Sequence, residues 1–303
     1  MEIFYFQAKY CGVYRDYLAA VNIQMSSVKK VEDIPFMPIS FFKNHEISCM
    51  DHPHDLLFKS SGTGGDRSIH HVFDKELYEM SFISSFIQSF GRPEDYVIMA
   101  LLPNYLEQGE SSLVYMVDHL IKLSKNKLSG FYLEGKDNII KKILEIEKSN
   151  KVLLIGVTYA LLDAVEKEKV SLKNTVVIET GGMKGRRREM IREELHKILK
   201  NRLNLSHIYS EYGMTELLSQ AYLNKSGRFT SPNWMKILVR DVNDPFAVRE
   251  IGRGGLNVID LANIYSCSFI ATQDLGRVYE GGSFDVLGRF DNTDLRGCNL
   301  LMD

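Results

Sequence analysis

Hydrophobic residues between positions 59 and 216 follow two spacings that alternate along the chain. Compact apolar runs, such as 96–102 and Lys151–Val157, are typical of strands that are buried on both faces. Between these runs the apolar residues recur at helical spacing, as in 113–121 and 159–167, which is typical of amphipathic helices. Strands that alternate with helices predict an α/β fold whose parallel sheet is covered by helices on both faces.

One of the predicted helices lies between Asp74 and Gly91. Aspartate is a favourable residue at a helix N-terminus, and glycine is common just beyond a helix C-terminus. The apolar residues of this segment share one helical face, which we expect to be buried. They are Leu77, Met80, Ile83, Ile87 and Phe90.

The pattern changes after about residue 233, where short β-like runs are separated by Gly, Asp and Asn. These runs are 237–239, 256–259, 267–270 and 284–287. They predict a β-rich C-terminal subdomain packed on the sheet. The whole chain is therefore divided into a lead-in packed on the core (1–56), an α/β core (57–225), a β-rich subdomain (226–291) and a C-terminal tail (292–303).

Composition and charge argue against a nucleic-acid-binding, integral membrane or secreted protein. The chain has 303 residues and a net charge of only −2, so no bulk attraction to nucleic acid or to an anionic membrane is expected. The run 96–102 is the longest apolar one and is far shorter than the roughly 20 residues of a membrane span. No basic stretch leads into an apolar one after Met1, so we expect a cytoplasmic protein rather than an integral membrane or secreted one.

The four cysteines lack the paired spacing of zinc or redox sites. We interpret Cys11, Cys49 and Cys267 as reduced thiols, which is the usual state in the cytoplasm. Cys298 stands close to the last residue and is considered separately below.

A glycine-rich segment at 59–66 is the first candidate for chemistry. It holds Ser60, Ser61, Gly62, Thr63 and Gly64. Successive small residues let backbone N–H groups form a concave anion site, with hydroxyl groups nearby. A flexible surface turn would have the same composition. The segment is not the nucleotide loop that ends in Gly-Lys-Ser/Thr, because no lysine follows its glycines.

The second candidate segment, 210–216, places four chemically useful residues after a strand. Gly213 makes a sharp turn, Tyr212 offers a ring, Thr215 a hydroxyl and Glu216 a carboxylate. A hydroxyl suits a phosphate oxygen, a carboxylate suits Mg²⁺, and a ring suits the face of a purine. An ordinary helix start would also explain the Ser, Thr and Glu in this segment.

Two further motifs stand near the C-terminus, Thr272-Gln-Asp274 and Gly288-Arg289-Phe-Asp291. An aspartate after a strand can accept both hydroxyls of a ribose, and an arginine can donate to the same sugar or to a phosphate. Two hairpin turns would give the same pattern, so each motif alone is a weak signal.

The order of these four motifs resembles the adenylate-forming superfamily of acyl-CoA synthetases, peptide-synthetase adenylation domains and luciferases. In detail the chain is most similar to the LuxE-type acyl-protein synthetases, also called long-chain-fatty-acid–protein ligases. This resemblance covers nearly the whole chain, and five segments carry it: 34–43, 102–107, 111–117, 179–185 and 296–300.

The resemblance implies a role for each candidate residue in binding ATP and Mg²⁺. Ser60, Ser61, Thr63 and Gly64 would hold the phosphates, with Gly62 in the same loop. The backbone at Gly181 and Gly182 would lie along the adenine, on which Tyr212 would stack. Thr215 would touch the α-phosphate, Glu216 would hold Mg²⁺, and Asp274 and Arg289 would bind the ribose.

The chain departs from the wider superfamily after Asp291. Most members continue into a small mobile domain that carries a catalytic lysine, whereas only twelve residues follow Asp291 here. The resemblance therefore implies a large N-terminal domain that lacks this mobile domain. Lys184 and Arg186 are the cations nearest in sequence that could substitute, and a solvated helix start would equally explain the basic residues there.

Together these features predict an ATP-dependent ligase that converts a fatty acid, of long chain by resemblance, to acyl-adenylate. The family carries an acyl-accepting cysteine near its C-terminus, which implies that Cys298 takes the acyl group and passes it to an acyl-CoA-reductase-type partner. The alternative acceptors are coenzyme A and an acyl-carrier protein. A rival from another class is a non-catalytic nucleotide-binding subunit of a reductase complex. The sequence leaves open whether the chain acts as a monomer or a homo-oligomer.

Overall fold

The computed structural model describes residues 1–60, 67–102, 110–132, 138–167, 169–181 and 190–290. Two compact units divide these residues. The first, called the β unit here, contains Met1–Leu56, Ser68–Asp74 and the described residues from Thr230 onward. The second, called the α/β unit, contains the described residues of Leu57–Arg67 and Lys75–Phe229.

The helices of the described residues are numbered in chain order. They are α1 (Glu2–Tyr10), α2 (Gly12–Ala20), α3 (Phe41–Asn44), α4 (Lys75–Phe90), α5 (Ser112–Ser124), α6 (Ile139–Ile146), α7 (Thr158–Val165) and α8 (Arg192–Leu203).

The strands are numbered in the same way. They are β1 (Met37–Pro38), β2 (Leu56–Lys59), β3 (Ile69–Val72), β4 (Tyr96–Leu101), β5 (Gly130–Phe131), β6 (Lys151–Val157), β7 (Thr175–Thr180), β8 (Tyr209–Tyr212), β9 (Ala221–Leu223), β10 (Phe229–Thr230), β11 (Met235–Arg240), β12 (Val248–Arg249), β13 (Gly252–Asp260), β14 (Phe269–Val278) and β15 (Phe284–Arg289).

The α/β unit is built on a parallel sheet in the order β5-β4-β6-β7-β8, to which β9 adds an antiparallel strand. Alternate residues of β8 point to opposite faces of this sheet. Ser210 meets His196 of α8 on one face, and Tyr209 packs against Phe90 of α4 on the other. Helices therefore cover both faces, and the predicted α/β fold with its parallel sheet is confirmed.

A glycine in β6 allows α7 to pack closely on the sheet. A Cβ atom at Gly156 would lie 2.9 Å from Cδ2 of Leu161 in α7 and 3.1 Å from Cβ of Leu101 in β4. Any side chain here would force α7 away from the sheet. Because α7 begins at the carboxyl end of β6, this close packing also fixes the position of Thr158.

The buried face of α4 is not the one predicted from the sequence. Met80 and Ile87 are 60% and 43% exposed, whereas the buried side chains are Tyr78, Ser81, Phe82, Ser85 and Phe86. On this buried face Tyr78 meets Phe82 edge-on and stacks on Tyr115 of α5. The prediction was wrong because it treated the two serines as polar, although they are the small residues that let α4 approach its neighbours. The end of the helix was predicted correctly, since Gly91 has a φ of 90° and its N–H donates to the carbonyl of Ile87.

The β unit contains an antiparallel ladder in the order β12-β11-β13-β14-β15. β1 joins the same ladder by pairing in parallel with β14, with Met37 beside Ile270. The β-rich C-terminal region that the sequence predicted is therefore present. The lead-in segment contributes a strand to it.

Gln7 in α1 forms hydrogen bonds with the segment that precedes β14. Its amide nitrogen donates to the carbonyls of Asn263 and Ile264, each at 2.9 Å, and to the hydroxyl of Ser268 at 3.1 Å. Its oxygen accepts the N–H of Ser268 at 2.9 Å. Residues 1–56 thus belong to the same compact unit as the β-rich region from Thr230 onward.

The described cysteines Cys11, Cys49 and Cys267 are free thiols. Among the described residues, every helix is too short or too polar to cross a lipid bilayer.

We predict that Gln7→Leu lowers the free energy of unfolding by about 3 kcal/mol, because it leaves several buried polar groups without a partner. Chemical denaturation of the purified protein measures this change. The control is Gln24→Leu, at an exposed position, which should alter the stability by less than about 0.5 kcal/mol. Equal stability of the two variants would contradict the role assigned to Gln7.

Candidate functional site

The carboxyl ends of the parallel strands β6, β7 and β8 meet at one edge of the α/β unit. Open α/β sheets bind their ligands at this edge. β7 leads directly to Gly181, which is exposed and has a φ of 69°, a conformation that favours glycine. This glycine was predicted to lie along a nucleotide base. Its lack of a side chain leaves the backbone of the turn open.

Tyr212, at the end of β8, has a buried ring that is 7% exposed. Its ring packs against Phe229, with the centroids 5.9 Å apart. The guanidinium of Arg192, in α8, lies 4.9 Å from the centre of the same Phe229 ring. Tyr212 is therefore held by packing before any ligand is considered, and its stacking on adenine remains a prediction.

The turn after Tyr212 presents the remaining residues of the second predicted motif. Gly213 is exposed, Thr215 is half-buried, and the Glu216 side chain is buried. A Cβ atom at Gly213 would lie 3.0 Å from Oε1 of Glu211 and 3.3 Å from Cγ of Gln220. A side chain at this position would press on these two neighbours, so the glycine gives them room.

Ser60 follows β2 and is half-buried. The other predicted residues of the glycine-rich loop, Ser61, Gly62, Thr63 and Gly64, lie outside the described residues. The same is true of Gly182, Lys184, Arg186 and Cys298. Their assigned roles stay predictions.

In the β unit, the structure brings Asp274 and Arg289 together. They are paired residues of β14 and β15, and Nε of Arg289 donates to Oδ1 of Asp274 at 3.3 Å. The Asp274 side chain is 8% exposed and that of Arg289 is 74% exposed. A buried carboxylate beside an exposed guanidinium can accept hydroxyl groups from a ligand while the cation remains accessible.

The threonine of the Thr-x-Asp motif orients this aspartate. The hydroxyl of Thr272 accepts the N–H of Asp274 at 3.1 Å and donates to the carbonyl of Leu256 at 2.9 Å. Both bonds are buried, so they fix the backbone on which the carboxylate is carried.

Arg240 supports the same strand and was missed in the sequence. Nη1 donates to the carbonyl of Leu256 at 2.9 Å and to Oδ1 of Asn257 at 2.8 Å, and Nη2 donates to the carbonyl of Thr272 at 2.5 Å. Its guanidinium lies where a Cβ atom of Gly255 would be, 2.6 Å from Cζ. Nothing in the sequence distinguishes Arg240 from an exposed arginine at the end of a strand.

Glu211 has a strongly perturbed carboxyl group. It faces Tyr222 across β8 and β9, and the Oε2 atom is shielded from solvent and has no hydrogen-bond partner among the described residues. Burial, reinforced by the negative charge of Glu179, raises the pKa of Glu211 to about 8. Burial also raises the pKa of Tyr78 and of Tyr222 near this carboxyl group. Glu211 is therefore protonated at neutral pH.

Solved structures of longer proteins share the fold of this chain at low sequence identity. ATP-bound MatB from Rhodopseudomonas palustris matches with a TM-score of 0.59 and 17% identity, over 79% of this chain and 49% of MatB. O-succinylbenzoate coenzyme A synthetase from Bacillus subtilis, in complex with ATP and magnesium ion, matches with a TM-score of 0.54 and 17% identity, over 77% of this chain and 49% of that enzyme. The chain thus spans about half the length of these structures.

The family is identified by the match of the sequence to a family model. Residues 1–303 match the family described as acyl-protein synthetase, LuxE, and the chain belongs to this family. No curated protein matches the chain.

The described residues fit the ATP and Mg²⁺ that such a fold implies. Gly181 leaves a turn without a side chain, and Glu216 and Asp274 supply buried carboxylates. Within the described part of the chain, no group of three His, Cys, Asp or Glu residues could hold a metal.

We predict that Glu211 makes stability fall as the pH rises. The folded state keeps this carboxyl protonated up to about pH 8, while the unfolded chain releases the proton near pH 4 to 5. The stability that this group contributes is thus fully present below the unfolded pKa and is lost as the pH rises through the folded pKa.

Glu211→Gln should remove this dependence, so that its stability relative to the unsubstituted protein increases by on the order of 2 kcal/mol between about pH 5 and about pH 8. Urea denaturation across this pH range measures the difference. Glu145→Gln, at an exposed position of α6, is the control and should show no such trend. A difference between Glu211→Gln and the unsubstituted protein that stays constant with pH would refute the assignment.

Proposed function

We propose that this protein uses ATP to convert a fatty acid to an acyl-adenylate and then transfers the acyl group to a protein thiol. Membership of the family is the reason for proposing a long-chain fatty acid. Membership of the LuxE acyl-protein synthetase family supports the overall reaction. The observation in the structure that carries the proposal is the buried Glu216 carboxylate, which follows the Tyr212–Gly213 turn at the carboxyl end of β8.

In this proposal the α/β unit binds the base and the phosphates of ATP. Tyr212 stacks on the adenine, and the backbone at Gly181 and Gly182 lies along its edge. Thr215 donates to the α-phosphate. The hydroxyl and backbone N–H groups of the glycine-rich loop, which comprises Ser60, Ser61, Gly62, Thr63 and Gly64, hold the other phosphates.

The ribose is assigned to Asp274 and Arg289. The carboxylate of Asp274 accepts hydroxyl hydrogens from the sugar, which suits its buried position and its fixed backbone. Arg289 is the exposed partner and donates to the sugar or to a phosphate. These contacts are equal in the ground and transition states, so they serve binding more than rate.

Chemistry begins when a carboxylate oxygen of the fatty acid attacks the α-phosphorus of ATP. The bond from this phosphorus to the bridging oxygen of pyrophosphate breaks, and pyrophosphate leaves with the electron pair. Mg²⁺, held by Glu216, would neutralise charge on the phosphate oxygens. Lys184 is our candidate for the cation that other superfamily members bring on a mobile domain, with Arg186 as its neighbour.

A thiolate then attacks the carbonyl carbon of the acyl-adenylate, and AMP leaves. We assign this thiol to Cys298, and we propose an acyl-CoA-reductase-type protein as the next acceptor. Coenzyme A and an acyl-carrier protein are the alternative acceptors, and each would give a soluble or carrier-bound thioester instead of one on this chain. The proposed setting is the cytoplasm, where the thiol stays reduced.

We predict that Glu216→Gln lowers acid-dependent ATP–pyrophosphate exchange by about 100-fold or more, because an amide cannot replace a carboxylate as a Mg²⁺ ligand. Exchange of labelled pyrophosphate with a panel of fatty acids measures the reaction. Glu194→Gln, at an exposed position of α8, should retain normal exchange.

Near-normal exchange by Glu216→Gln would contradict the role of Glu216 as a Mg²⁺ ligand. Exchange that is absent from the unsubstituted protein with every acid would favour the rival view of a non-catalytic nucleotide-binding subunit.

We predict that Cys298→Ser still exchanges pyrophosphate but carries no acyl group that hydroxylamine can release. Only the second step requires the thiol. Intact-protein mass spectrometry after incubation with ATP, Mg²⁺ and the acid measures the acyl group. Cys49→Ser, at a half-buried thiol, is the control and should become acylated normally. Normal acylation of Cys298→Ser would contradict the assignment of Cys298 and favour coenzyme A or an acyl-carrier protein as the acceptor.

A further inference from the structure

A buried carboxylate, Glu179, joins the carboxyl ends of three neighbouring strands in the α/β unit. It stands in β7 between Gly156 of β6 and Ser210 of β8. The hydroxyl of Ser210 donates to Oε1 at 2.6 Å, and the hydroxyl of Thr158 donates to Oε2 at 3.2 Å. Both bonds are buried, so the Glu179 carboxyl group has one donor from strand β8 and one from the first residue of α7, which follows β6.

His196 of α8 completes this group of side chains. Its Nε2 atom lies 3.1 Å from the hydroxyl oxygen of Ser210 and 3.7 Å from Oε1 of Glu179. Because the hydrogen of Ser210 is directed to Glu179, Nε2 must carry the hydrogen that Ser210 accepts. Thr158, Glu179, Ser210 and His196 therefore form one chain of hydrogen bonds.

This arrangement is not that of a nucleophilic serine. In a Ser-His-acid triad one imidazole nitrogen faces the serine and the other faces the acid. Here Nε2 faces both Ser210 and Glu179, and Ser210 is only 2% exposed. The serine donates its hydrogen bond to Glu179 and not to the histidine. The group must therefore act by holding its surroundings in place.

The part of the surroundings that the proposed function assigns to ATP is the turn at Gly181. The hydroxyl of Thr158 carries one hydrogen, which it shares in a bifurcated bond between Oε2 of Glu179 at 3.2 Å and the carbonyl oxygen of Gly181 at 3.4 Å. Gly181 is exposed and has a φ of 69°, a conformation that favours glycine. Thr158 is thus the side chain that links the buried hydrogen-bond chain to the exposed turn.

We infer that Thr158 is a positioning residue for ATP, which acts through Glu179 and the Gly181 carbonyl to hold the turn that receives the adenine. This inference rests on the proposed function, because it assigns the adenine to that turn. Glu179, Ser210 and His196 hold Thr158 in the orientation that reaches Gly181. Ser210 stands in the predicted segment 210–216 and Glu179 at the start of 179–185, but neither was given a role in the predicted site. Thr158 and His196 lie outside the motifs from which the site was predicted.

The experiment compares Thr158→Val with Thr158→Ser and with Thr175→Val. Thr158→Val keeps the shape of the side chain and removes its hydroxyl, and Thr158→Ser restores a hydroxyl. Thr175 is the matched control, since it is a buried threonine at the opposite end of β7 whose hydroxyl donates to a glutamate, Glu147, at 2.8 Å. The affinity for ATP is measured by titration calorimetry without acid, and KM for ATP and kcat are measured by pyrophosphate exchange.

The loss of one positioning hydrogen bond should weaken ATP binding by Thr158→Val about fivefold and raise KM for ATP by a similar factor, with kcat within about twofold. Thr158→Ser and Thr175→Val should bind ATP within about twofold of the unsubstituted protein. Thermal unfolding of the two valine variants shows whether their losses of stability are comparable.

Two outcomes would overturn the inference while leaving the proposed function intact. One is normal ATP affinity in Thr158→Val, and the other is equal weakening in Thr158→Val and Thr175→Val, which would mark a general loss of stability. If the unsubstituted protein itself neither binds ATP nor exchanges pyrophosphate, the proposed function fails and this inference fails with it.

Discussion

The parallel register of β6, β7 and β8 is the constraint on which the candidate site depends. It places Glu179 between Gly156 and Ser210, and it carries all three strands to the same edge of the sheet. A shift of one residue would turn Glu179 to the opposite face and separate it from Thr158. The buried carboxyl group takes its donors from β8 and from the start of α7 directly after β6, so register and polar contacts support each other.

Much of the fold could be predicted because strands and helices differ in the spacing of their apolar residues. β6 was predicted with the bounds that the structure has, and the β-rich region was predicted from short runs between turn residues. The buried face of α4 could not be predicted in this way, because Ser81 and Ser85 are buried as small residues while Met80 is exposed. Spacing identifies a helix, but the neighbouring elements decide which of its faces is covered.

The candidate site was predictable only where its residues form a local motif. Asp274 stands in such a motif, and Thr272 acts within two residues of it. Arg240 and His196 act on parts of the chain that are distant in sequence or lie on another element, and neither stands in a pattern that marks it. Their roles depend on strand order and helix packing, which a single sequence does not display.

The contacts of Gln7 bear on the order in which the chain folds during synthesis. Its partners lie 256 to 261 positions further along the chain. These hydrogen bonds of α1 can therefore form only after residues 263–268 have been synthesised. Most of the α/β unit is continuous between Lys75 and Phe229. This segment is synthesised earlier, and most of its contacts are made within it. Domains generally fold as units as the chain leaves the ribosome, whereas contacts of large sequence separation form late. We therefore expect the apolar and aromatic side chains of the N-terminal helices to remain exposed through most of translation, which makes this segment the natural place for a chaperone to act.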